Sequence, residues 1–82
     1  MRIADKLIWR ETDDGLVIVD PALGKVRVLN GVGADVWKMV EQGRKVEEIE
    51  GELVKAYGIS AETATNDVRA FIDDLSARKL II

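Results

Sequence analysis

The apolar period of this chain changes once, at Asn30, and that switch predicts a sheet followed by helices. Before it, Lys6–Arg10 carries Leu7, Ile8 and Trp9 as a first strand. Asp13-Asp14-Gly15 is a turn signal, and Leu16-Val17-Ile18-Val19 is a short, mostly β-branched run. Asp20-Pro21-Ala22-Leu23-Gly24 predicts a second turn. Lys25-Val26-Arg27-Val28-Leu29 then alternates charged and apolar residues, as a half-buried strand does. Short turns between such runs favour an antiparallel meander, with the third strand left as an edge.

Beyond Asn30 the spacing is helical. Asn30 is placed to cap a first helix running to about Gln42, with Val32, Val36, Met39 and Val40 on one face and Trp37 on its flank. Gly43 suits the left-handed residue just past its end. A second helix spans about Val46 to Tyr57, with Val46, Ile49, Leu53 and Tyr57 as its face and Ala56 beside it. Glu47, Glu48 and Glu50 crowd its first turns, where the helix dipole favours acids. Gly58 closes it. Ser60 caps a third helix to about Arg78, striped by Ala64, Val68, Phe71, Ile72 and Leu75. Leu80-Ile81-Ile82 predicts a short extended tail that packs down.

Each helix has one apolar stripe and needs a partner to bury it. The expected fold is therefore α+β: a small three-stranded antiparallel sheet followed by three helices, winged helix-turn-helix-like, with the wing at the front. The 82 residues suffice for one domain, 1–82.

A modest core leaves no room for a deep catalytic cavity. The chain has no His and no Cys, so the usual general base, metal ligands and thiol nucleophile are missing. The carboxylate pairs Asp13-Asp14 and Asp73-Asp74 are sequence neighbours, which diverge on a helix or strand. Gly31 and Gly33 lack the third glycine of a dinucleotide fingerprint. No enzyme activity, cofactor or metal is expected. No apolar run approaches a membrane span, and Met1–Arg10 is unlike a signal peptide, so the expected location is the cytoplasm.

The helix-turn-helix pattern raises DNA binding, and charge argues against it. From Val46 to Asp74, Glu47, Glu48, Glu50, Glu52, Glu62, Asp67, Asp73 and Asp74 are offset only by Lys55 and Arg69. A recognition helix carrying Glu62, Asp67, Asp73 and Asp74 repels phosphates. A DNA regulator and a self-associating assembly domain remain the rival readings.

An ordered train of features is similar to one family. The strand ending in Asp20-Pro21 leads through Gly24-Lys25-Val26 to Leu29-Asn30. Gly33-Ala34-Asp35-Val36-Trp37 follows in the first helix, then Gly43 and Val46-Glu47-Glu48-Ile49. Leu53, Tyr57-Gly58-Ile59, Asp67-Val68 and Phe71-Ile72-Asp73-Asp74-Leu75 complete the set. From Leu16 to Ile82 the chain resembles the PqqD-like proteins, or RiPP recognition elements. These bind leader peptides of ribosomally made, post-translationally modified peptides. One departure is Lys79-Leu80, where the family commonly has Gly-Leu. Trp37 and the Asp20–Gly24 turn look more like the free-standing leader binders of lasso-peptide pathways than like the pyrroloquinoline-quinone chaperone itself.

The resemblance implies that a leader adds as a strand to the edge of the sheet beside the third helix. The edge would be Lys25, Val26, Arg27, Val28 and Leu29. The groove wall would be Val68, Arg69, Ile72, Asp73 and Ser76. On spacing alone, Val68 and Phe71 weigh towards the core, Ile72 lies at the margin, and Arg69 and Asp73 are equally at home in solvent. Trp9 and Trp37 read as packing anchors between sheet and helices. The implied partners are a precursor peptide and its leader protease and cyclase, or another tailoring enzyme. Nucleic acid and membrane are not expected partners, and the chain itself is expected as a monomer or weak dimer.

Overall fold

A computed structural model describes residues 1–82. Three strands, β1 (Ile8–Thr12), β2 (Gly15–Asp20) and β3 (Lys25–Leu29), precede three helices, α1 (Gly31–Glu41), α2 (Val46–Tyr57) and α3 (Ala61–Ala77). The sheet is an antiparallel meander in the order β1-β2-β3. The α+β, winged helix-turn-helix-like architecture predicted from the sequence is therefore the one observed.

The first strand lies two residues later than its apolar residues suggested. The Asp13-Asp14 turn sets this position by pairing Thr12 with Gly15, so β1 runs directly into the turn. On the other side Lys6, at φ 67, interrupts extended backbone. Cross-strand partners share a face. Trp9, Ile18 and Arg27 form one row towards the helices, and Glu11, Leu16 and Leu29 form the next. Leu16 and Ile18 are fully buried there. Val26 and Val28 point to the other face and are 63% and 67% exposed.

Gly15 holds the tightest point of the sheet. Its φ is 152, and an added Cβ would lie 2.2 Å from the Leu29 carbonyl oxygen. Gly15→Ala is expected to lower the melting temperature by roughly 10 °C or more, read by calorimetry. The backbone strain costs about 1–3 kcal/mol before the clash is counted, and each kcal/mol is worth roughly 4–8 °C in a domain of this size. Gly43→Ala is the control. Its φ is 77, but nothing lies within 4 Å of the added atom, so only backbone strain remains.

The helices pack their stripes against one another and against the sheet. In α1, Ala34, Val36, Trp37, Met39 and Val40 are buried. Trp37 was expected on the flank of this stripe and is instead fully buried. The sheet closes over it with Trp9, edge to face, centroids 6.4 Å apart. Asn30 stands at the N-cap of α1, but its side chain makes no capping bond; its carbonyl accepts the Gly33 and Ala34 amides instead. Ser60 does cap α3, accepting the Thr63 amide at 3.1 Å.

In α2, Ile49 and Leu53 are buried, while Val46 and Tyr57 at its ends stay exposed, so the predicted face is shorter than expected. The Tyr57 hydroxyl donates to Asp35 of α1, and that bond raises the phenol above its ordinary 10. In α3, Ala64, Val68 and Leu75 are buried, with Phe71 and Ile72 half-buried on either side of them. The C-terminal tail is extended as predicted. Ile81 pairs with Ile3, and main-chain bonds join Arg2 to Ile82 and Ala4 to Leu80. No helix is long and apolar enough to cross a membrane.

Candidate functional site

The register of the sheet determines which groups its β3 edge leaves free. Thr12 and Gly15 are joined by a two-residue loop, so they exchange bonds with each other. The alternative pattern would need a bond between adjacent Asp13 and Asp14. Main-chain groups of Gly15, Val17 and Val19 therefore point to β1, and those of Leu16, Ile18 and Asp20 point to β3. Opposite them, Lys25, Arg27 and Leu29 point back into the sheet. The N–H and C=O groups of Val26 and Val28 point outward, and no fourth strand meets them.

A groove runs between this edge and α3. Its middle is lined by Val26, Arg27, Val28 and Leu29 on one side and by Asp74, Leu75, Arg78 and Leu80 on the other. Towards the end of β3 it opens into an apolar cavity of about 500 Å³. Val28, Leu29, Val32 and Gly33 face Ala70 and Phe71 there, and Asp67 and Asp74 stand at the rim. Towards the start of β3 it widens among Lys25, Arg27, Arg78 and Lys79. The two ends thus differ in chemistry, one apolar with an acidic rim and the other basic.

The predicted edge, Lys25 to Leu29, borders this groove along its whole length. The predicted wall does not. Val68 is fully buried beneath α3. Arg69, Ile72, Asp73 and Ser76 line none of the groove's three sections. They lie on the opposite shoulder of the helix. Sequence reasoning missed the shoulder that does face β3, made by Asp67, Ala70, Phe71, Asp74 and Arg78. These residues recur at the three- and four-residue spacing of one helix face.

Gly33 of α1 packs against the Phe71 side of this shoulder. A Cβ there would lie 3.1 Å from the Phe71 ring, so a larger residue at Gly33 would press on the ring and shift it by a few tenths of an ångström. On that shoulder Arg78 Nε donates to both oxygens of Asp74, at 2.9 and 3.0 Å. This pair spans one turn at the C-terminal end of α3 and steadies the groove wall, though exposed pairs of this kind are worth only about 0.3–0.5 kcal/mol.

A separate depression between α1 and α2 is lined by Glu11, Asp35, Lys38, Arg44 and Glu52. Its cations are all paired within it: Lys38 lies 3.7 Å from both Glu11 and Asp35, and Arg44 lies 3.6 Å from Glu52. It offers little to a charged ligand.

A search of the curated proteins finds no match. Among solved structures, the chain superposes with a TM-score of 0.93 on "TbiB1 in Complex with the TbiA(beta) Leader Peptide". The two are 28% identical, over 99% of this chain and 94% of that one. It also superposes with a TM-score of 0.92 on "Lasso peptide synthetase B1 complexed with the leader peptide". That pair is 21% identical, over 99% and 95% of the two chains, a likeness of fold alone. The family model described as coenzyme PQQ synthesis protein D matches residues 15–81, from the first residue of β2 through the buried tail. By that match this chain belongs to the PqqD family, as a PqqD-like RiPP recognition element.

Proposed function

We propose that this chain binds the leader segment of a ribosomally made precursor peptide, by adding it as a strand to the open edge of β3. The observation that carries this reading is the outward-facing main chain of Val26 and Val28 above an apolar groove. Each new main-chain bond contributes roughly 0.5–1.5 kcal/mol net. Side chains of the peptide that point towards α3 enter the Phe71 cavity and the basic end, which gives specificity. The family and the leader-bound structure that is 28% identical to this chain support the same reading.

The chain contributes recognition and no chemistry. It acts in the cytoplasm as a monomer or weak dimer and delivers the held peptide to a leader protease and cyclase, or to another tailoring enzyme. Holding the substrate near those enzymes raises its local concentration. A DNA-binding role fits poorly, because Asp67, Asp73 and Asp74 are exposed on α3.

The test is a fluorescence-anisotropy titration with labelled leader peptides: the TbiA(beta) leader, and that of the precursor encoded near this chain's own gene. Saturable binding by neither would end the proposal. Phe71→Asp is expected to weaken binding more than tenfold, about 1.4 kcal/mol, because it replaces an apolar floor with a third acid beside Asp67 and Asp74. Mass spectrometry of the precursor incubated with this protein alone is expected to show no covalent change. A mass change that follows the pure protein would make it an enzyme.

A further inference from the structure

The basic end of the groove holds four cations, and three of them, Lys25, Arg27 and Lys79, have no ion-pair partner within the protein. The chain as a whole carries a net charge of −3. Yet Lys25, Arg27, Arg78 and Lys79 converge on one cavity of about 430 Å³. No carboxylate lies within 4.0 Å of Lys25, Arg27 or Lys79. The one acid in that cavity, Asp20, is turned into its own loop, where it accepts the Ala22 and Leu23 amides at 3.0 and 3.3 Å. Arg78 is already held by Asp74.

Lys79 adds an independent observation. It ends α3 in the left-handed conformation, with φ 59. The Leu80 amide bonds back to the Leu75 carbonyl and the Lys79 amide to that of Ser76, the motif in which glycine is the usual residue. Glycine adopts this conformation freely, and lysine does so only with strain. The backbone gains nothing from a lysine here. What glycine would lack is the ammonium group beside the cavity.

The cavity is continuous with the groove, since Arg27, Arg78 and Leu80 line both. We infer that it holds a side-chain carboxylate of the bound strand, so that this protein selects peptides with Asp or Glu at the position beside Arg27 and Lys79. This inference rests on the strand-addition reading above and extends it to the peptide's chemistry. The acidic rim around Phe71, Asp67 and Asp74, repels the same residue from the other end. Charge therefore fixes the register of the strand as well as its identity.

The test is selection from a display library of random twelve-residue peptides, fused through their C-termini so that only side chains supply carboxylates. Enriched peptides are expected to share an acid at one position. A synthetic copy is expected to lose at least fivefold affinity for Lys79→Gly, and similarly for Arg27→Gln, at low salt. Lys79→Gly relaxes the helix end, so a loss of fold cannot account for the result. The Asp→Asn or Glu→Gln form of the peptide is expected to bind parent and Lys79→Gly alike. Enriched peptides with no shared acid, or an equal loss for the neutral peptide, overturn the inference and leave strand addition standing. Failure to enrich any peptide, or enriched peptides indifferent to Val28→Pro, strikes the strand-addition reading itself.

Discussion

Arg27→Pro is expected to lower the melting temperature by about 10 °C or more, while Val28→Pro stays folded and loses the leader. The two residues are neighbours of the same strand, and they differ in where their amides point. Arg27 faces Ile18 across β2, and the two exchange bonds. Proline at Arg27 removes that donor and leaves the Ile18 carbonyl of a buried residue unpaired. The lost bond costs about 0.5–1.5 kcal/mol and the stranded acceptor about 1–3 kcal/mol. At roughly 4–8 °C per kcal/mol the drop is plain in a thermal melt.

Val28 has its amide on the open side of the sheet and its side chain 67% exposed. Edge strands tolerate proline where the N–H is free, so the fold survives. The peptide loses a main-chain bond and meets a proline ring where its backbone should lie. A loss of more than tenfold in the anisotropy titration is expected. Two folded variants that both bind like the parent would remove strand addition at this edge.

Val68→Asp and Ile72→Asp are expected to separate just as widely. Val68 is fully exposed to nothing: it is 0% accessible within the core. An aspartate there buries a carboxylate with no partner, at a cost of several kcal/mol. Domains of this size have only about 0.05–0.15 kcal/mol of stability per residue. The variant is therefore expected to lose its helical circular dichroism. Ile72 is half-buried at the margin, where an aspartate can turn into water. Its cost is a share of the roughly 1.5–3 kcal/mol that burial of such a side chain provides. Ile72 lines none of the groove, so this variant is expected to keep both its helices and its affinity. A folded Ile72→Asp that no longer binds would place the peptide on the other shoulder of α3.

Element identity was legible in local pattern. The turn residues Asp13-Asp14-Gly15 and Asp20–Gly24 delimited the strands, and period-3.6 stripes marked all three helices. Ser60 and Gly58 closed the α2–α3 corner as their chemistry requires. Local pattern misplaced β1 by two residues, because Leu7 looks like a strand residue whichever way the turn pairs. It also credited Asn30 with a cap that its side chain does not make. Each of these errors arises where a residue's own preference is outweighed by the element it joins.

The sequence by itself determined the order of the elements, the centre of each apolar stripe, and the strand at Lys25–Leu29. These follow from spacing along one segment, so neighbours in sequence suffice. Tertiary structure alone decided the parity of that edge and the shoulder of α3 that faces it. Parity passes from the β1–β2 turn through two ladders to Val26 and Val28, so no segment of β3 contains it. The shoulder is a choice between Phe71 and Ile72, which lie about 100° apart on either side of the Val68–Leu75 centre line. Their stripe is nearly symmetric, so its spacing favours neither. Gly33, distant in sequence, is where Phe71 comes to pack, a contact that no spacing within α3 contains. With Phe71 on that side, Asp67, Ala70 and Asp74 face β3, and Arg69, Asp73 and Ser76 lie away from it.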